Sequence, residues 1–299
     1  PPPTPPPRAS RRQRQMCIRD RALSNAFLAR FEELGGEARM NCSVRRITAS
    51  NGRVTGVITE DDQEIRADWI VSNADPIATC RDMIGPDQVP SSFFTHLQSS
   101  EVAASTINVY LGVARTAEEL GFSEHEIFVN AGYDADRHYE LMKTITPPEA
   151  IAATCYNVVH PEISPPGTSI VVLTALAFGE PWTQVPPSEY VATKNRMADA
   201  MIDMAELVAP GLREYAEVVE VSTPLTNMRY ANALGGSIYG FSQPPRDHMA
   251  WRMDYKGPLA RLYFAGAWTQ PGGGFEPTMM SGVRAGRSIS FKAKKREGA

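Results

Sequence analysis

The chain has 299 residues, of which 42% are hydrophobic, and it carries a formal net charge of −4. This length and composition predict a folded protein with one large domain or two ordinary ones. Six arginines and one aspartate lie in the first 21 positions, which leaves 24 basic residues against 33 acidic ones, a charge of −9, in the rest of the chain. An acidic body without a basic face excludes a protein that reads nucleic acids.

The first 21 residues, PPPTPPPRASRRQRQMCIRDR, begin with six prolines in seven positions. Proline at this density prevents both a helix and a sheet ladder, and no apolar periodicity follows it. A disordered basic tail is one interpretation. The other is a non-native segment, because QMCIRDR looks like a translated sequencing adapter. We expect residues 1–21 to be disordered and without tertiary contacts, and the native N-terminal part of the protein to be absent.

One helix and three strands are predicted after this segment. The helix covers ALSNAFLARFEELGG, with Leu23, Phe27 and Phe31 on one face and a glycine pair at its end. The first strand begins near Met40, where apolar residues alternate. Asn51-Gly52 predicts a hairpin turn into the second strand. The third strand runs from Ile65 into the apolar stretch WIVS.

The middle of the chain is rich in strands. The segments STINVYLGV, EIFVN, AIAATCYNVV and TSIVVLTALAF follow one another without an intervening helix, which predicts an antiparallel sheet. The segment SEYVATKNRMADAMIDMAELV then predicts a helix capped by Ser188. Its face with Met197, Met201 and Met204 is typical of a core, and flexible thioethers also line pockets for long apolar molecules. EVVEVSTP is a further strand.

The reactive side chains give no catalytic assignment. The four cysteines lie far apart, so no zinc site or redox dithiol is indicated, and dispersed thiols suit a reducing cytosol. The five histidines are predicted in loops or at strand ends, without HxxxH spacing. No apolar run approaches the roughly 20 residues of a membrane-spanning helix. The predicted location is therefore cytoplasmic, with peripheral membrane contact left open.

The run LYFAGAWTQPGGGFEPTMMSGVRAG, residues 262–286, combines a strand, a glycine loop and a helix. Pro277 suits the first helical position, so the free amides of the first turn are predicted at Thr278 and Met279. A helix N-terminus after a glycine loop is a site for an anionic or electron-rich group. The loop would let that group approach the backbone, and Gly282, Ala285 and Gly286 would pack closely on a sheet. The alternative is a glycine-rich surface turn.

This run resembles the C-terminal flavin motif of FAD-dependent oxidoreductases related to phytoene desaturases and carotenoid isomerases, a group whose wider relatives include the amine oxidases. Three other segments resemble parts of the same family: GGEARMNCSVRRITASNGRVTGV, IVSNADP and ANALGGSIYGF. The resemblance covers roughly residues 22–299, in the family's order. Position 267 is alanine where the amine oxidases carry glutamate, which favours the desaturase side.

The resemblance implies a mixed α/β and α+β fold that binds FAD. An incomplete Rossmann-like FAD-binding domain would comprise residues 22–92 and 218–299, and an inserted substrate domain of antiparallel sheet and helices would comprise residues 93–217. The family's N-terminal GxGxxG segment is missing from the chain. We therefore expect this fragment to bind FAD weakly and to be inactive, and the complete protein to bind FAD well.

The resemblance also implies positions that contact the cofactor. The backbone of Val44 would hold the adenine, and Ala74 would follow a strand that ends beside the cofactor. Gly266 and Ala267 would approach the ribityl-pyrophosphate. The remaining contacts would lie beside the isoalloxazine, from Gly273, Gly274, Phe275 and Glu276, and from the amides of Thr278 and Met279 at its N1–C2=O edge.

The implied activity is dehydrogenation, saturation or isomerisation of a C–C bond in a long apolar substrate of the isoprenoid or carotenoid type. Two alternatives stay open, a flavin amine oxidase and a non-catalytic binding or membrane-associated protein that keeps the fold. The sequence indicates neither the electron acceptor nor the oligomeric state.

Overall fold

The computed structural model of the chain describes the backbone of residues 10–244 and 252–297, and the side chains of residues 22–244 and 252–295. The described residues form eight α-helices: α1 Ser10–Glu33, α2 Pro76–Ala78, α3 Ser91–Ser99, α4 Ala135–Leu141, α5 Gly179–Thr183, α6 Tyr190–Ala205, α7 Pro224–Ala231 and α8 Phe275–Glu297. They also form ten strands: β1 Val44–Ser50, β2 Arg53–Thr59, β3 Glu64–Arg66, β4 Ile70–Ser72, β5 Ser105–Val113, β6 Glu126–Asn130, β7 Ala150–Cys155, β8 Ser169–Ala177, β9 Ala216–Ser222 and β10 Leu262–Phe264.

The chain divides into two compact units. Unit 1 comprises Pro1–Met40, Thr106–Ala177 and Pro181–Thr223, and unit 2 comprises Asn41–Ser105, Phe178–Glu180 and Pro224–Ala299. The two main transitions between the units lie between Ser105 and Thr106 and between Thr223 and Pro224, and the domain boundaries at residues 92 and 217 stay a prediction. Strand β9 pairs with β5, which keeps both strands in unit 1 apart from Ser105.

The N-terminal helix α1 overlaps the segment 1–21, for which disorder was predicted. Residues 1–9 lie outside the described backbone and the side chains of residues 10–21 outside the described side chains, so the expected lack of tertiary contacts stays a prediction. The helix ends as predicted: Gly35 takes a left-handed φ of +86°, and the Gly36 amide bonds the carbonyl of Phe31 at 2.9 Å. The predicted apolar face is largely open, with Phe27 57% exposed.

Unit 2 contains two small sheets. Strands β1, β2 and β3 form an antiparallel sheet, whereas β4 pairs in parallel with β10. The prediction of a single third strand from Ile65 was therefore wrong. The chain changes direction at Asp68, whose carboxylate binds the guanidinium of Arg261 at 2.7 Å. The predicted start of the first strand near Met40 was also early, because Asn41 has a left-handed φ of +52°.

The core of unit 2 gathers side chains from distant parts of the sequence. Its buried members come from the first sheet, from the segment between β4 and the end of α3, from the loop at 239–241, and from the last strand and the loop that follows it. They include Ile47, Val54, Cys80, Ile84, Leu97, Phe241, Leu262, Phe264 and Trp268. The rings of Phe241 and Trp268 meet edge to face with centroids 4.9 Å apart. This core therefore holds the first part of the loop after β10.

Unit 1 is built on the predicted antiparallel sheet, with the strand order β6-β7-β8-β5-β9. Helix α6 packs against β7, β8 and β9, with Met197 and Met201 fully buried, so the methionine face belongs to the core. The predicted cap was wrong: α6 begins at Tyr190, and Glu189 rather than Ser188 takes the cap position, without a side-chain hydrogen bond.

Contrary to the prediction, a helix lies between two of the strands of this sheet. Helix α4 lies between β6 and β7, and the carboxylate of Asp134 caps it by accepting the Arg137 amide at 2.9 Å. Its sequence ADRHYEL has too few apolar residues for a periodic pattern. Two histidines predicted in loops or strand ends, His96 and His138, therefore lie in helices α3 and α4.

None of the helices described here has the length and apolar character needed to cross a membrane. Within the described residues, Cys42, Cys80 and Cys155 are free thiols, and no cluster of three metal-binding side chains is found.

Candidate functional site

The carboxyl ends of β4 and β10 meet at one edge of their parallel sheet. Ser72 pairs with Phe264, and the Ala265 amide donates to the carbonyl of Ser72 at 2.9 Å. The segments Asn73-Ala74 and Ala265-Gly266 therefore leave the sheet side by side. The crevice outside the carboxyl ends of parallel strands is where ligands bind in open α/β sheets.

Gly266 is required by a close contact within the protein. Its φ is +96°, and a Cβ at this position would collide with the side-chain oxygen of Asn73. Its amide donates to Oγ of Ser281 at 2.7 Å, and this hydroxyl donates to the carbonyl of Thr278 at 2.6 Å. Ser281 is fully buried. A single hydroxyl thus ties the end of β10 to the first turns of α8.

Each of the three consecutive glycines is required for a different structural reason. Gly272 has a φ of +129°, and a Cβ on it would collide with the side chain of Gln243. A Cβ on Gly273 would come within 2.8 Å of the Cα of Tyr239. Gly274 has a φ of +108° and faces only Pro277. The close approach predicted for Gly272 and Gly273 is therefore an approach of the protein to itself.

Helix α8 begins at Phe275, two positions before the predicted start at Pro277. The Thr278 amide donates to the carbonyl of Gly274 at 3.1 Å, so the prediction of a free amide at Thr278 was wrong. Met279 lies one residue further into the helix. Since Pro277 has no N–H, the free amides of the first turn are those of Phe275 and Glu276.

A continuous run of backbone amides takes no part in the described hydrogen-bond network. From Gly272 to Glu276, no backbone N–H has a partner among the described residues. Phe275 is 79% exposed and Met279 38% exposed. Successive amides in a glycine loop, followed by the positive end of a 23-residue helix, favour an electron-rich group.

The predicted small-residue face of α8 is only partly buried. Ala285 is 1% exposed, whereas a Cβ on Gly282 or Gly286 would have nothing within 4 Å among the described residues. The prediction that all three pack closely on a sheet was therefore wrong for the two glycines, which lie on open faces of the helix.

Arg252 is a site residue that the sequence reasoning missed. It is 4% exposed, and its guanidinium donates to the carbonyls of Ala267 at 2.6 Å, Phe241 at 2.8 Å and Tyr239 at 2.9 Å. These bonds clamp the loop after β10 to the loop at 239–241. The available signal was an arginine between Trp251 and Met253, where an apolar environment demands partners for its charge.

Two ionisable groups lie under the end of β4. Asp75 caps α2 by accepting the Ile77 amide at 2.7 Å, and burial raises the pKa of its carboxyl. Burial raises the pKa of the Cys80 thiol to about 12. The carboxylate of Asp75 thereby supports the turn after Ala74. Val44 lies apart from this edge, at the start of β1 and paired with Thr59.

A sequence profile of the family described as "Flavin containing amine oxidoreductase" matches residues 9–290. The chain belongs to this family. FAD is the cofactor of the family, as predicted.

Curated relatives of the chain include carotenoid enzymes. A phytoene desaturase (lycopene-forming) from Pseudescherichia vulneris is 26% identical over 281 residues, covering 91% of this chain and 54% of the relative. A 4,4'-diapolycopene oxygenase from Methylomonas is 25% identical, over 84% of this chain and 49% of the relative. A mouse pyridine nucleotide-disulfide oxidoreductase domain-containing protein 2 is 24% identical, over 85% and 47%. The chain thus spans about half the length of these relatives.

Solved structures share the fold. An oxidoreductase from Methanosarcina mazei superimposes with a TM-score of 0.56 at 15% identity, over 85% of this chain and 50% of that protein. A putrescine oxidase bound to putrescine gives 0.52 at 14% identity, over 87% and 51%. The predicted fold class, a mixed α/β fold of the FAD-dependent oxidoreductase type, is confirmed.

The donor set at this edge of unit 2 fits an electron-rich group such as the flavin of the family. Ala74, Gly266 and Ala267 lie around the carboxyl ends of β4 and β10, and Gly273 to Glu276 carry the unpartnered amides. Thr278 contributes its hydroxyl to the same turn, donating to the carbonyl of Gly274 at 2.8 Å. The geometry therefore offers backbone donors rather than side-chain charges.

Proposed function

We propose that this chain is part of an FAD-dependent oxidoreductase that acts on C–C bonds of a long apolar, isoprenoid-type substrate. The observation that carries the proposal is the run of amides from Gly272 to Glu276 at the start of α8. Because the chain spans about half of its relatives, the activity belongs to the complete protein, and this chain by itself is expected to be inactive and to bind FAD weakly.

The roles of the cofactor-contacting residues follow from where they lie. Gly266 and Ala267 would hold the ribityl-pyrophosphate, with Ala74 beside them on the neighbouring strand, and Val44 would hold the adenine. The amides of Phe275 and Glu276, rather than those of Thr278 and Met279, would bind the electron-rich edge of the isoalloxazine. The first part of the loop would keep its position because Arg252 binds the carbonyls of Ala267 and Thr269, and Ser281 binds the Gly266 amide.

The protein would contribute to the reaction by electrostatic stabilisation. Bound FAD supplies an acceptor for hydride from a C–H bond of the substrate. A helix N-terminus and oriented amides stabilise the negative charge that develops at the edge they face. Loop amides that are already held in place need no reorganisation. We assign no acid or base to the chain, since abstraction from an apolar polyene depends more on position than on proton transfer.

Amine oxidation is the second candidate, because the family and the shared fold with a putrescine oxidase both include it. The carotenoid relatives favour the first candidate. A purified complete protein without bound flavin would overturn both. With flavin present, bleaching of its absorbance under anaerobic conditions by phytoene in detergent supports the first candidate, and bleaching by putrescine alone supports the second.

The site is tested by Phe275→Pro against Phe275→Ala in the complete protein. Proline is tolerated in the first turn of a helix and removes only the amide, and the preceding Gly274 accepts the backbone restriction it imposes. We expect Phe275→Pro to bind FAD about 5- to 10-fold more weakly than Phe275→Ala, the effect of one hydrogen bond. Equal affinities for FAD in a titration of the two apoproteins would contradict the assignment.

A further inference from the structure

Strand β6 lies at one edge of the five-stranded sheet of unit 1. Around it, the carbonyl of His125 accepts the Cys155 amide and the amide of Ala131 donates to the carbonyl of Glu149, each at 2.8 Å. In an antiparallel pair, every second residue of a strand bonds its partner and the residues between them direct their N–H and C=O away from it. The odd-numbered residues of β6 therefore bond β7, and the even-numbered residues face the open side.

The outward-facing residues of β6 are Glu126, Phe128 and Asn130. Their backbone groups have no hydrogen-bond partner among the residues that the structure describes. All three side chains are exposed, and Phe128 is 70% exposed. The carboxylate of Glu126 accepts a hydrogen bond from the hydroxyl of Thr154 on β7 at 3.1 Å, which holds it beside the edge. The edge of β6 thus presents a row of unpaired donors and acceptors around an exposed aromatic ring.

This edge lacks the features that keep most edge strands from pairing with another chain, namely lysine, proline or a bulge. The sequence EIFVN contains neither lysine nor proline, and its register with β7 is unbroken. The opposite edge strand, β9, is better protected, because it contains Glu217 and Glu220 and its register with β5 shifts between Gly112 and Val113. The comparison indicates β6, rather than β9, as the interaction surface of this sheet.

The sequence of β6 is complementary to itself when two copies run antiparallel. With a two-fold axis at Phe128, this residue lies opposite Phe128 of the partner subunit, and Glu126 lies opposite Asn130 of the partner subunit. These are the positions with free backbone groups, so each facing pair exchanges both of its hydrogen bonds. The side-chain amide of asparagine is a donor for the glutamate carboxylate, and no like charges face each other within the strand.

We propose that two copies of the complete protein associate through β6, so that their five-stranded sheets join into one sheet of ten strands, five from each copy. The two-fold arrangement uses the β6 edge of both copies and leaves the protected β9 edges outside, so association stops at the dimer. The contact consists of one short strand and one exposed ring from each copy, which makes the dimer weak and dependent on concentration. This inference goes beyond the proposed function and needs neither flavin nor substrate.

Sedimentation equilibrium of the complete protein at concentrations from about 1 to 100 µM tests the association. We expect a monomer–dimer equilibrium for the wild type. Phe128→Lys places two ammonium groups opposite each other at the two-fold axis, and should raise the dissociation constant at least about 10-fold. Val219→Lys, at an exposed position of β9, adds the same charge away from β6 and should leave the dissociation constant unchanged.

An exchange of charges tests the register of the pairing. Asn130→Glu places a carboxylate opposite Glu126 of the partner subunit at both ends of the contact, and should weaken the dimer by about 3- to 10-fold. Combining it with Glu126→Lys restores opposite charges at both ends, so the double variant should dimerise at least as well as the wild type.

A complete protein that stays monomeric over the whole concentration range, as expected if another segment or another protein covers β6, would overturn the proposal. A dimer that Phe128→Lys and Asn130→Glu leave unchanged would also overturn it, because such a dimer forms through a different surface. If Phe128→Lys does not fold, the comparison of Asn130→Glu with the double variant decides the question. Bound flavin is not measured, so failure here leaves the flavin assignment standing, and a flavin-free protein leaves this result standing.

Discussion

The amide of Gly266 and the hydroxyl of Ser281, 15 positions apart, form a 2.7 Å hydrogen bond inside the protein. Because the same hydroxyl also bonds the carbonyl of Thr278, the loop and the helix that make up the candidate site share one buried atom.

Ser281→Ala leaves the buried Gly266 amide without a partner, which costs about 1–3 kcal/mol of the free energy of unfolding. Ser290→Ala, at an exposed position of the same helix, is the control, because it gives the same gain in helix propensity without losing a buried bond. Urea unfolding should show Ser281→Ala as the less stable variant. Equal midpoints for the two variants would show that the hydroxyl does not hold the loop.

Gly273→Ala and Gly282→Ala should change stability in opposite directions. At Gly273 the new methyl group meets the Cα of Tyr239, a backbone atom that cannot move aside, so we expect a loss of about 1–3 kcal/mol. At Gly282 the space is open and the backbone is helical, so we expect a gain of about 0.5–1 kcal/mol. Thermal unfolding of the 299-residue chain checks both signs, and a stabilising Gly273→Ala would contradict the described loop.

Arg252→Met should be strongly destabilising, by about 3 kcal/mol or more, because several buried carbonyls lose their donor together. Arg252→Lys should recover only part of the loss, since an ammonium group cannot reproduce the planar fork of a guanidinium. Arg81→Met removes an exposed ion pair and should cost less than about 1 kcal/mol. Chemical denaturation of the three variants measures these differences, and a small effect of Arg252→Met would exclude the clamp.

Asp75 predicts a dependence of stability on pH. Burial raises its pKa, so the folded state holds this proton more tightly than the unfolded chain does. The favourable contribution of protonated Asp75 to the free energy of unfolding is complete below the pKa of the unfolded chain, about 3.9. It is lost as the pH rises from there through the raised pKa of the folded state. Asp75→Asn keeps an oxygen acceptor for the Ile77 amide without the charge.

We therefore expect Asp75→Asn to be more stable than the wild type near neutral pH and equal to it at low pH, as followed by urea unfolding across the pH range. Asp82→Asn is the control: its bond to Arg81 lowers the pKa of its carboxyl, so its removal should not stabilise the protein at neutral pH. A gain for both variants would point to a general effect of net charge.

Cys80 should resist alkylation in the folded protein. The thiolate is the reactive form, and a fully buried thiol with a pKa of about 12 supplies very little of it. Cys42, which is partly exposed, is the internal control. Mass spectrometry after treatment with iodoacetamide should find Cys42 modified and Cys80 intact, and both modified in denaturant. Equal labelling in the folded state would show that the segment after β4 is open.

The sequence predicted elements whose pattern is local. Strand β5 alternates between buried and less buried positions over its last seven residues, strand β8 is a mostly buried apolar run, and helix α6 repeats its methionines at helical spacing. The pairing of Asp68 shows what a local sequence pattern cannot predict. Its partner Arg261 is 193 positions away, so nothing in the local run from Ile65 to Val71 could reveal that one strand would become two in different sheets.

The start of the last helix was predicted two residues too late. Proline is favoured at the first position of a helix, which placed the helix start at Pro277. In the structure Pro277 is the third residue of α8 and Gly274 supplies the first carbonyl, so the free amides move to Phe275 and Glu276. Arg252 was missed because its partners are backbone carbonyls, which no sequence pattern displays.

The pairing of Asp68 with Arg261 has a consequence for how the protein is made. Strand β4 emerges from the ribosome long before β10, and most of unit 1 is synthesised between them. Pairing β4 with β10 closes the long loop between them, which has an entropic cost. This cost is lower if unit 1 has already folded into a compact insert. During synthesis, β4 therefore stays unpaired until β10 has been made. The edge where the cofactor is proposed to bind is among the last parts of unit 2 to be completed.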